Sequence, residues 1–153
     1  MKEHPEGGYY NECLKSKDII DAKAVDSSFD GNRKLWTSIY FLLKDRDVSR
    51  FHRLKSDEIW YYHSGVPMII HIINKNGELE RVKLGLDIER GEQPQLLIPK
   101  GTIFGAVMDG TGYSLAGCMV SPGFEFGDFE LLEREELIRL YPQHELIIKR
   151  LTK

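Results

Sequence analysis

The residues best suited to acid–base chemistry lie in one short segment, residues 51–65, which reads FHRLKSDEIWYYHSG. Residues two apart on a β-strand share a face. If 57–63 is a strand, Glu58, Trp60 and Tyr62 therefore point the same way. If that face is the interior, Glu58 meets the imidazole of His52 among aromatic side chains. The two would form a general acid–base pair or supply two metal ligands.

A second interpretation of the same segment is structural. Arg53 and Lys55 lie a few residues before Glu58 in the sequence. Glu58 could simply pair with one of them at the surface, and strand aromatics more often fill a core than line a site. Spacing alone leaves both interpretations open.

The elements that would position this segment are short strands separated by turn residues. Asn76-Gly77 is a strong hairpin signal, because both residues tolerate a positive φ. The turn at 109–112 (DGTG) predicts a second hairpin between the two strands beside it. Alternating or β-branched runs predict eight strands, over residues 36–43, 51–54, 57–63, 67–73, 78–84, 95–98, 102–108 and 113–120.

Strands of this length and spacing are typical of an all-β sandwich or barrel. Helical spacing appears only near the C-terminus, over 133–141 and 144–151, and we expect these helices to pack outside the barrel. Gly7-Gly8 predicts a turn before an N-terminal strand, and residues 16–35 read as a surface excursion. The absence of a repeat or linker predicts one domain over residues 1–153.

Composition narrows the class of protein. The chain has 153 residues, 21 basic and 24 acidic side chains, and a formal net charge of −3. The basic residues are scattered, which argues against a nucleic-acid partner. No apolar run approaches the roughly 18 residues that a membrane span needs, so we expect no membrane association.

The two cysteines lie in different contexts. Cys118 is in an apolar run and reads as a small buried thiol, and no Cys-x-x-Cys pair suggests redox chemistry. The N-terminus is too polar for a secretory signal, which makes a disulfide between Cys13 and Cys118 improbable and predicts a cytoplasmic protein.

The segment around His52 resembles the first sequence motif of the cupin superfamily, G-x5-H-x-H-x3/4-E-x6-G. His52 falls at the first histidine, Glu58 at the glutamate and Gly65 at the final glycine, whereas Arg46 and Leu54 stand where a glycine and the second histidine belong. The second motif, G-x5-P-x-G-x2-H-x3-N, is matched by Pro99 and Gly101, with Gln93 at its first glycine. In that motif Phe104 replaces the histidine and Met108 the asparagine.

Over nearly its whole length the chain is similar to a single-domain cupin family catalogued as a domain of unknown function. The stretches that carry this similarity are 4–10, 37–43, 51–60, 121–126 and 141–144. The resemblance implies a mainly β fold, a cupin-type jelly-roll β-barrel with short C-terminal helices. It also implies a pocket inside the barrel and a homodimer, but no settled activity.

The departures from the motif bear on metal binding. A metal-using cupin holds its ion with three imidazoles and a carboxylate, and here two of the three histidine positions are Leu54 and Phe104. His63 and His71 have the wrong parity to face His52 if Trp60 faces inward. His4 and His144 belong to other segments. We therefore predict no metal and no other cofactor.

Without metal, the predicted pocket is an aromatic box. We predict His52, Glu58 and Tyr62 as the catalytic residues. Tyr40, Trp60, Gln95 and Phe104 complete the predicted pocket as ligand-binding residues. Aromatic walls with a few polar groups commonly hold small planar or sugar-like ligands.

Three functions remain open at this level. The first is a cupin that binds a small polar or sugar-like metabolite. Such a protein could act as a metal-independent isomerase or epimerase, in which His52 removes a proton and Tyr62 or Tyr40 returns one. That mechanism rests on analogy with cupin epimerases. The second is a non-catalytic binding or sensor module. The third is a metal-dependent enzyme that uses His52 and Glu58.

Overall fold

The computed structural model describes all 153 residues and is built mainly of β-strands. The thirteen strands are β1 (Lys2–Glu3), β2 (Tyr9–Lys15), β3 (Ile19–Asp21), β4 (Asn32–Lys34), β5 (Thr37–Lys44), β6 (Val48–Leu54), β7 (Asp57–Gly65), β8 (Met68–Ile73), β9 (Leu79–Leu84), β10 (Gln95–Ile98), β11 (Ile103–Met108), β12 (Tyr113–Ser121) and β13 (Phe129–Leu131). Two short helices follow, α1 (Arg134–Leu140) and α2 (Glu145–Arg150). None of the helices is long and apolar enough to cross a membrane.

The strands form two large sheets and a small hairpin. One sheet has the order β1-β2-β5-β12-β7-β10, the other β13-β6-β11-β8-β9, and β3 pairs with β4. The central strands β5-β12-β7-β10 and β6-β11-β8-β9 have the alternating order of a jelly roll. The predicted fold class is therefore confirmed. The two sheets do not close on each other, so the barrel is a loose one.

The turn signals differ in outcome. Gly77 has a φ of 77° and joins β8 to β9 in a hairpin, as the sequence predicts. The second predicted hairpin is wrong. β11 pairs with β6 and β8 in one sheet, whereas β12 pairs with β5 and β7 in the other. The glycines of residues 109–112 therefore carry the chain across from sheet to sheet, a difference that local turn chemistry does not encode.

The interior splits into two apolar layers. The layer between the sheets contains Phe41, Trp60, Ile70 and Phe104 among its buried members. The second layer lies outside the five-stranded sheet, where Leu137 of α1 and Ile148 of α2 are fully buried together with Phe51 and Val107. The predicted external packing of the C-terminal helices is confirmed. Their apolar faces cover that sheet.

A bulge in β6 determines which side chains reach the interior. Between Phe104↔His52 and Ala106↔Ser49, β6 uses one residue more than β11. An extra residue reverses the alternation of the strand, so Ser49 and His52 point inward together although they are three apart. Gly105 lies opposite the bulge, where a Cβ atom would come within 2.7 Å of the Ser49 carbonyl oxygen.

Candidate functional site

A cavity of about 610 Å³ opens between the two sheets, beside the N-terminal strands β1 and β2. His52 and Leu54 of β6 and Glu58 and Trp60 of β7 line it, so His52 and Glu58 face the same interior cavity, although no hydrogen bond or ion pair joins them. Both side chains are buried, with 2% and 6% of their surfaces exposed. The surface-pairing interpretation of Glu58 is therefore excluded.

The N-terminal segment supplies two polar residues that the sequence analysis did not assign to the site. Glu6 lies within 3.3 Å of two imidazole nitrogens, its Oε2 contacting His4 Nδ1 and His52 Nε2. Its other oxygen, Oε1, accepts a hydrogen bond of 2.7 Å from the Ser49 hydroxyl. Glu6 is thus the centre of a buried cluster, which we call the Glu6 cluster: His4, Glu6, Ser49 and His52.

Backbone contacts hold Glu6 in this position. The Glu6 carbonyl accepts a hydrogen bond of 2.8 Å from the Arg50 amide in the β6 bulge. Gly7 has a φ of 109°, and a Cβ atom there would overlap the Val48 carbonyl. The predicted turn at Gly7-Gly8 is confirmed. This turn brings Glu6 against β6 before β2 begins.

The hydrogen bonds within the Glu6 cluster assign the proton on each histidine. His52 Nδ1 is 2.7 Å from the Arg50 carbonyl, which can only accept, so Nδ1 carries the proton and Nε2 faces Glu6 as an acceptor. The Glu6 amide is 3.3 Å from His4 Nδ1, which makes that nitrogen an acceptor as well. A proton on Glu6 Oε2 therefore has an acceptor on either side.

Burial moves every titratable group of the cluster toward its neutral form. Burial lowers the pKa of His52 to about 4, against the raising effect of its contact with the Arg50 carbonyl. Burial also lowers the pKa of His4 and raises the pKa of Glu6, which the nearby His4 and the Ser49 hydroxyl partly offset. Burial thus disfavours the ion-paired form of the contacts between Glu6 and its two histidines.

Glu58 lies on the opposite wall and has no polar partner. Its Oε2 is buried without a hydrogen bond, and so is Nε1 of the neighbouring Trp60. Burial, followed by repulsion from the Glu6 carboxylate, raises the pKa of Glu58 to about 8. The Trp60 indole N–H works weakly against this rise, although its geometry falls short of a hydrogen bond.

The remaining predicted site residues lie outside the cavity lining. Phe104 is in the core, with its ring centroid 4.2 Å from that of His52. The Tyr62 hydroxyl donates a hydrogen bond of 2.6 Å to the Gly65 carbonyl. Tyr40 is 43% exposed on the outer face of its sheet, and Gln95 is exposed on the edge strand β10. Of the seven predicted residues, the structure thus brings together His52, Glu58 and Trp60.

Aromatic residues from the chain after β12 form the mouth of the cavity instead. Phe124, Phe126 and Phe129 line it together with Tyr10. Phe126 is half exposed and its ring lies 5.9 Å from His4. A buried ion pair anchors this segment, since Arg33 donates hydrogen bonds of 2.6 and 2.9 Å to the two carboxylate oxygens of Asp128. Tyr10 lies in stretch 4–10, and Phe124 and Phe126 lie in stretch 121–126. Both stretches carry the family resemblance, which is the sequence signal that could have pointed to these three residues.

The donor set does not fit the metal site of a metal-using cupin. Leu54 and Phe104 occupy two of the expected histidine positions and cannot coordinate an ion. His52 uses Nδ1 for the Arg50 carbonyl and faces Glu6 with Nε2. The structure contains no group of three or more His, Cys, Asp or Glu side chains arranged to hold a metal ion.

Comparison with known proteins agrees with this fold and these motifs. A family model described as "Cupin superfamily (DUF985)" matches residues 1–132. The chain belongs to this cupin family. The uncharacterized protein YML079W of Saccharomyces cerevisiae is 25% identical to it over 147 residues, which are 89% of this chain and 72% of the yeast protein.

Solved structures of other proteins are also similar to this one. The crystal structure of protein SO0799 from Shewanella oneidensis has 48% sequence identity and a TM-score of 0.89, covering 99% of this chain and 90% of that one. A hypothetical protein from Leishmania major has 41% identity and a TM-score of 0.88, covering 99% of this chain and 92% of the other. A variant of oxalate decarboxylase from Bacillus subtilis shares the fold alone, with 16% identity, a TM-score of 0.60, and coverage of 97% of this chain and 36% of that one.

Proposed function

We propose that this cupin binds a small polar or sugar-like metabolite in the cavity between its sheets. The observation that carries the proposal is the buried, unpartnered carboxyl of Glu58 on the wall of a cavity of about 610 Å³. Leaving a buried polar group without a partner costs roughly 1–3 kcal/mol. A ligand that hydrogen-bonds to Glu58 would recover that cost, and a cavity of this volume is typical of small-molecule sites.

A thermal-shift screen of sugars, amines, organic acids and divalent metals tests this proposal. A ligand that binds only the folded state, present at about 100 times its Kd, stabilises the protein by about 2.7 kcal/mol. We expect a shift in the wild type that is smaller in the Glu58→Gln and His52→Ala variants. A panel without any shift, or shifts that both variants retain unchanged, would reject the cavity as the binding site.

Proton transfer on the bound metabolite is a second candidate function. It is favoured by the pKa of about 8 for Glu58, because an acid that titrates near neutral pH can both give and accept a proton. In this scheme Nε2 of His52 accepts a proton from a carbon next to a carbonyl, and the electron pair of the broken C–H bond forms an enolate. Glu58 then returns a proton to that carbon. Tyr62 and Tyr40, the proton donors expected from the sequence, do not line the cavity.

Isotope exchange separates this enzyme from a non-catalytic binding module. An isomerase or epimerase incorporates solvent deuterium into a keto sugar or a keto sugar nucleotide at the carbon that loses its proton. Glu58→Gln should abolish the exchange. Binding without any exchange would favour the sensor function.

We propose that the protein is cytoplasmic. We also propose that it works as a homodimer, as its similarity to the single-domain cupins implies. Sedimentation equilibrium would measure the mass in solution. A monomer at micromolar concentration would contradict the dimer.

A further inference from the structure

The cavity lining has an excess of carboxyl groups. Four glutamates line the cavity, whereas Lys2 is the one lysine or arginine that does. Two of the four already have cationic neighbours, because Glu12 pairs with Lys15 at 2.9 Å and Glu125 lies 3.9 Å from Arg33. The two deep carboxyls, Glu6 and Glu58, have no lysine or arginine within ion-pair distance.

Glu58 is the one of these two that the fold leaves for a ligand. Glu6 has Ser49, His4 and His52 as hydrogen-bonding partners. Glu58 is 94% buried, lines the cavity, and has a buried oxygen with no partner. An isolated buried carboxylate is costly unless a cation pairs with it. A positive group on the ligand would supply what the chain does not.

The walls of the cavity are also suited to a cation. The rings of Phe41 and Trp60 line its interior, with centroids 5.3 Å apart, and Tyr10, Phe124 and Phe126 surround its mouth. The faces of aromatic rings attract ammonium groups, most strongly where water is excluded. Carboxyl groups and ring faces together disfavour a phosphate or carboxylate ligand in the same place.

We propose that the ligand of this cavity carries a protonated amine, whose N–H groups donate hydrogen bonds to Glu58 while its carbon skeleton packs on the aromatic walls. This inference rests on the proposed function, since it names the chemical class of the small molecule. An amine with N–H donors fits better than a quaternary ammonium ion. A quaternary ion has no N–H group to donate to the Glu58 carboxyl and could interact only with the ring faces.

Matched pairs of probes that differ only in the head group test the proposal. Glucosamine is compared with glucose, and phenethylamine with phenethyl alcohol, by titration calorimetry on the full-length protein. Glu58→Gln keeps the shape of the side chain and removes its ability to ionise. Glu12→Gln is the control, because Glu12 also lines the cavity but already pairs with Lys15. Circular dichroism and the melting temperature of each variant establish that it is folded.

In the wild type and in Glu12→Gln we expect each binding amine to bind roughly 10- to 100-fold more tightly than its neutral partner, the range typical of a charge-assisted hydrogen bond. In Glu58→Gln the preference should fall below about threefold while binding of the neutral probe is retained. A neutral probe that binds the wild type as tightly as its amine would overturn the inference. An amine preference that survives in Glu58→Gln would do the same.

The proposed function has separate outcomes. If none of the four probes binds but another neutral or anionic metabolite of the screen does, the amine inference is overturned and the ligand-binding function stands. If nothing in either panel binds, both are overturned.

Discussion

Replacement of Glu58 by glutamine should change how the stability of the protein depends on pH. The ordinary pKa of a glutamate, 4.5, applies in the unfolded chain, whereas burial beside Glu6 raises the pKa in the folded protein to about 8. The folded state therefore binds its proton more tightly. The contribution of Glu58 to stability is fully present below pH 4.5 and is lost as the pH rises toward 8. Glutamine does not titrate, so the variant lacks this loss.

The size of the effect follows from the two pKa values. One unit of pKa difference corresponds to about 1.4 kcal/mol, so the full span from 4.5 to about 8 is worth about 5 kcal/mol. Between pH 5 and pH 8, the part that this titration covers is about 3 to 4 kcal/mol. Relative to the wild type, Glu58→Gln should therefore gain this much unfolding free energy over that interval.

Urea denaturation of both proteins at pH 5 and pH 8 measures this quantity as a difference of differences. Any packing defect of the glutamine side chain is present at both values of pH and cancels. Equal pH dependence in the two proteins would refute the reasoning. It would mean that Glu58 titrates near 4.5, and hence that water or a cation reaches its carboxyl in solution.

Three further outcomes are expected. Gly105→Ala places a Cβ atom 2.7 Å from the Ser49 carbonyl oxygen at the β6 bulge and should lower the free energy of unfolding, measured by urea denaturation, by about 1–3 kcal/mol. An unchanged free energy of unfolding would mean that the bulge is not close-packed. Asp128→Ala leaves Arg33, which is 4% exposed, without its bidentate partner, and should lower the free energy of unfolding by about 3–5 kcal/mol in the same assay. A loss under about 1 kcal/mol would mean that Asp30 and Glu125 are enough to compensate the charge of Arg33. Nitrogen NMR of the histidine rings should show His52 neutral, protonated at Nδ1, and titrating near pH 4; a midpoint near 6.5 would contradict its burial.

The local sequence patterns predicted most of the strands but not all of them. The eight expected strands correspond to β5–β12, because each contains alternating or β-branched residues and most have a glycine, proline or asparagine at an end. Of the other five strands, β1, β3, β4 and β13 were not predicted, and β2 was expected after the Gly7-Gly8 turn only as a strand without bounds. The run YYNECLK of β2 is polar and mostly exposed, and β13 has only three residues, so neither has the buried alternation on which strand prediction depends.

The site was predicted to the extent that it lies on two consecutive strands. His52 and Glu58 are close in sequence, and the period of two along a strand was enough to place Glu58 and Trp60 on one face, which the resemblance to cupins predicted to be the interior. Tyr62 shares that parity, but its hydroxyl is held by Gly65 near the end of β7 rather than in the cavity. Parity specifies a face of the sheet and not a position along it.

The sequence by itself determined the fold family, the shared face of Glu58 and Trp60, and the lack of two of the histidines that a cupin metal site uses. These depend on residue type and on spacing over a few positions. Only the tertiary structure decided that Glu6, more than forty residues away in sequence from Ser49 and His52, lies between His4 and His52. Its place is set by the Gly7 turn and by a bulge in β6, and that bulge depends on the pairing of β6 with β11. Contacts between segments so far apart in sequence depend on how the strands pair and pack in the complete fold, and no local sequence pattern encodes them.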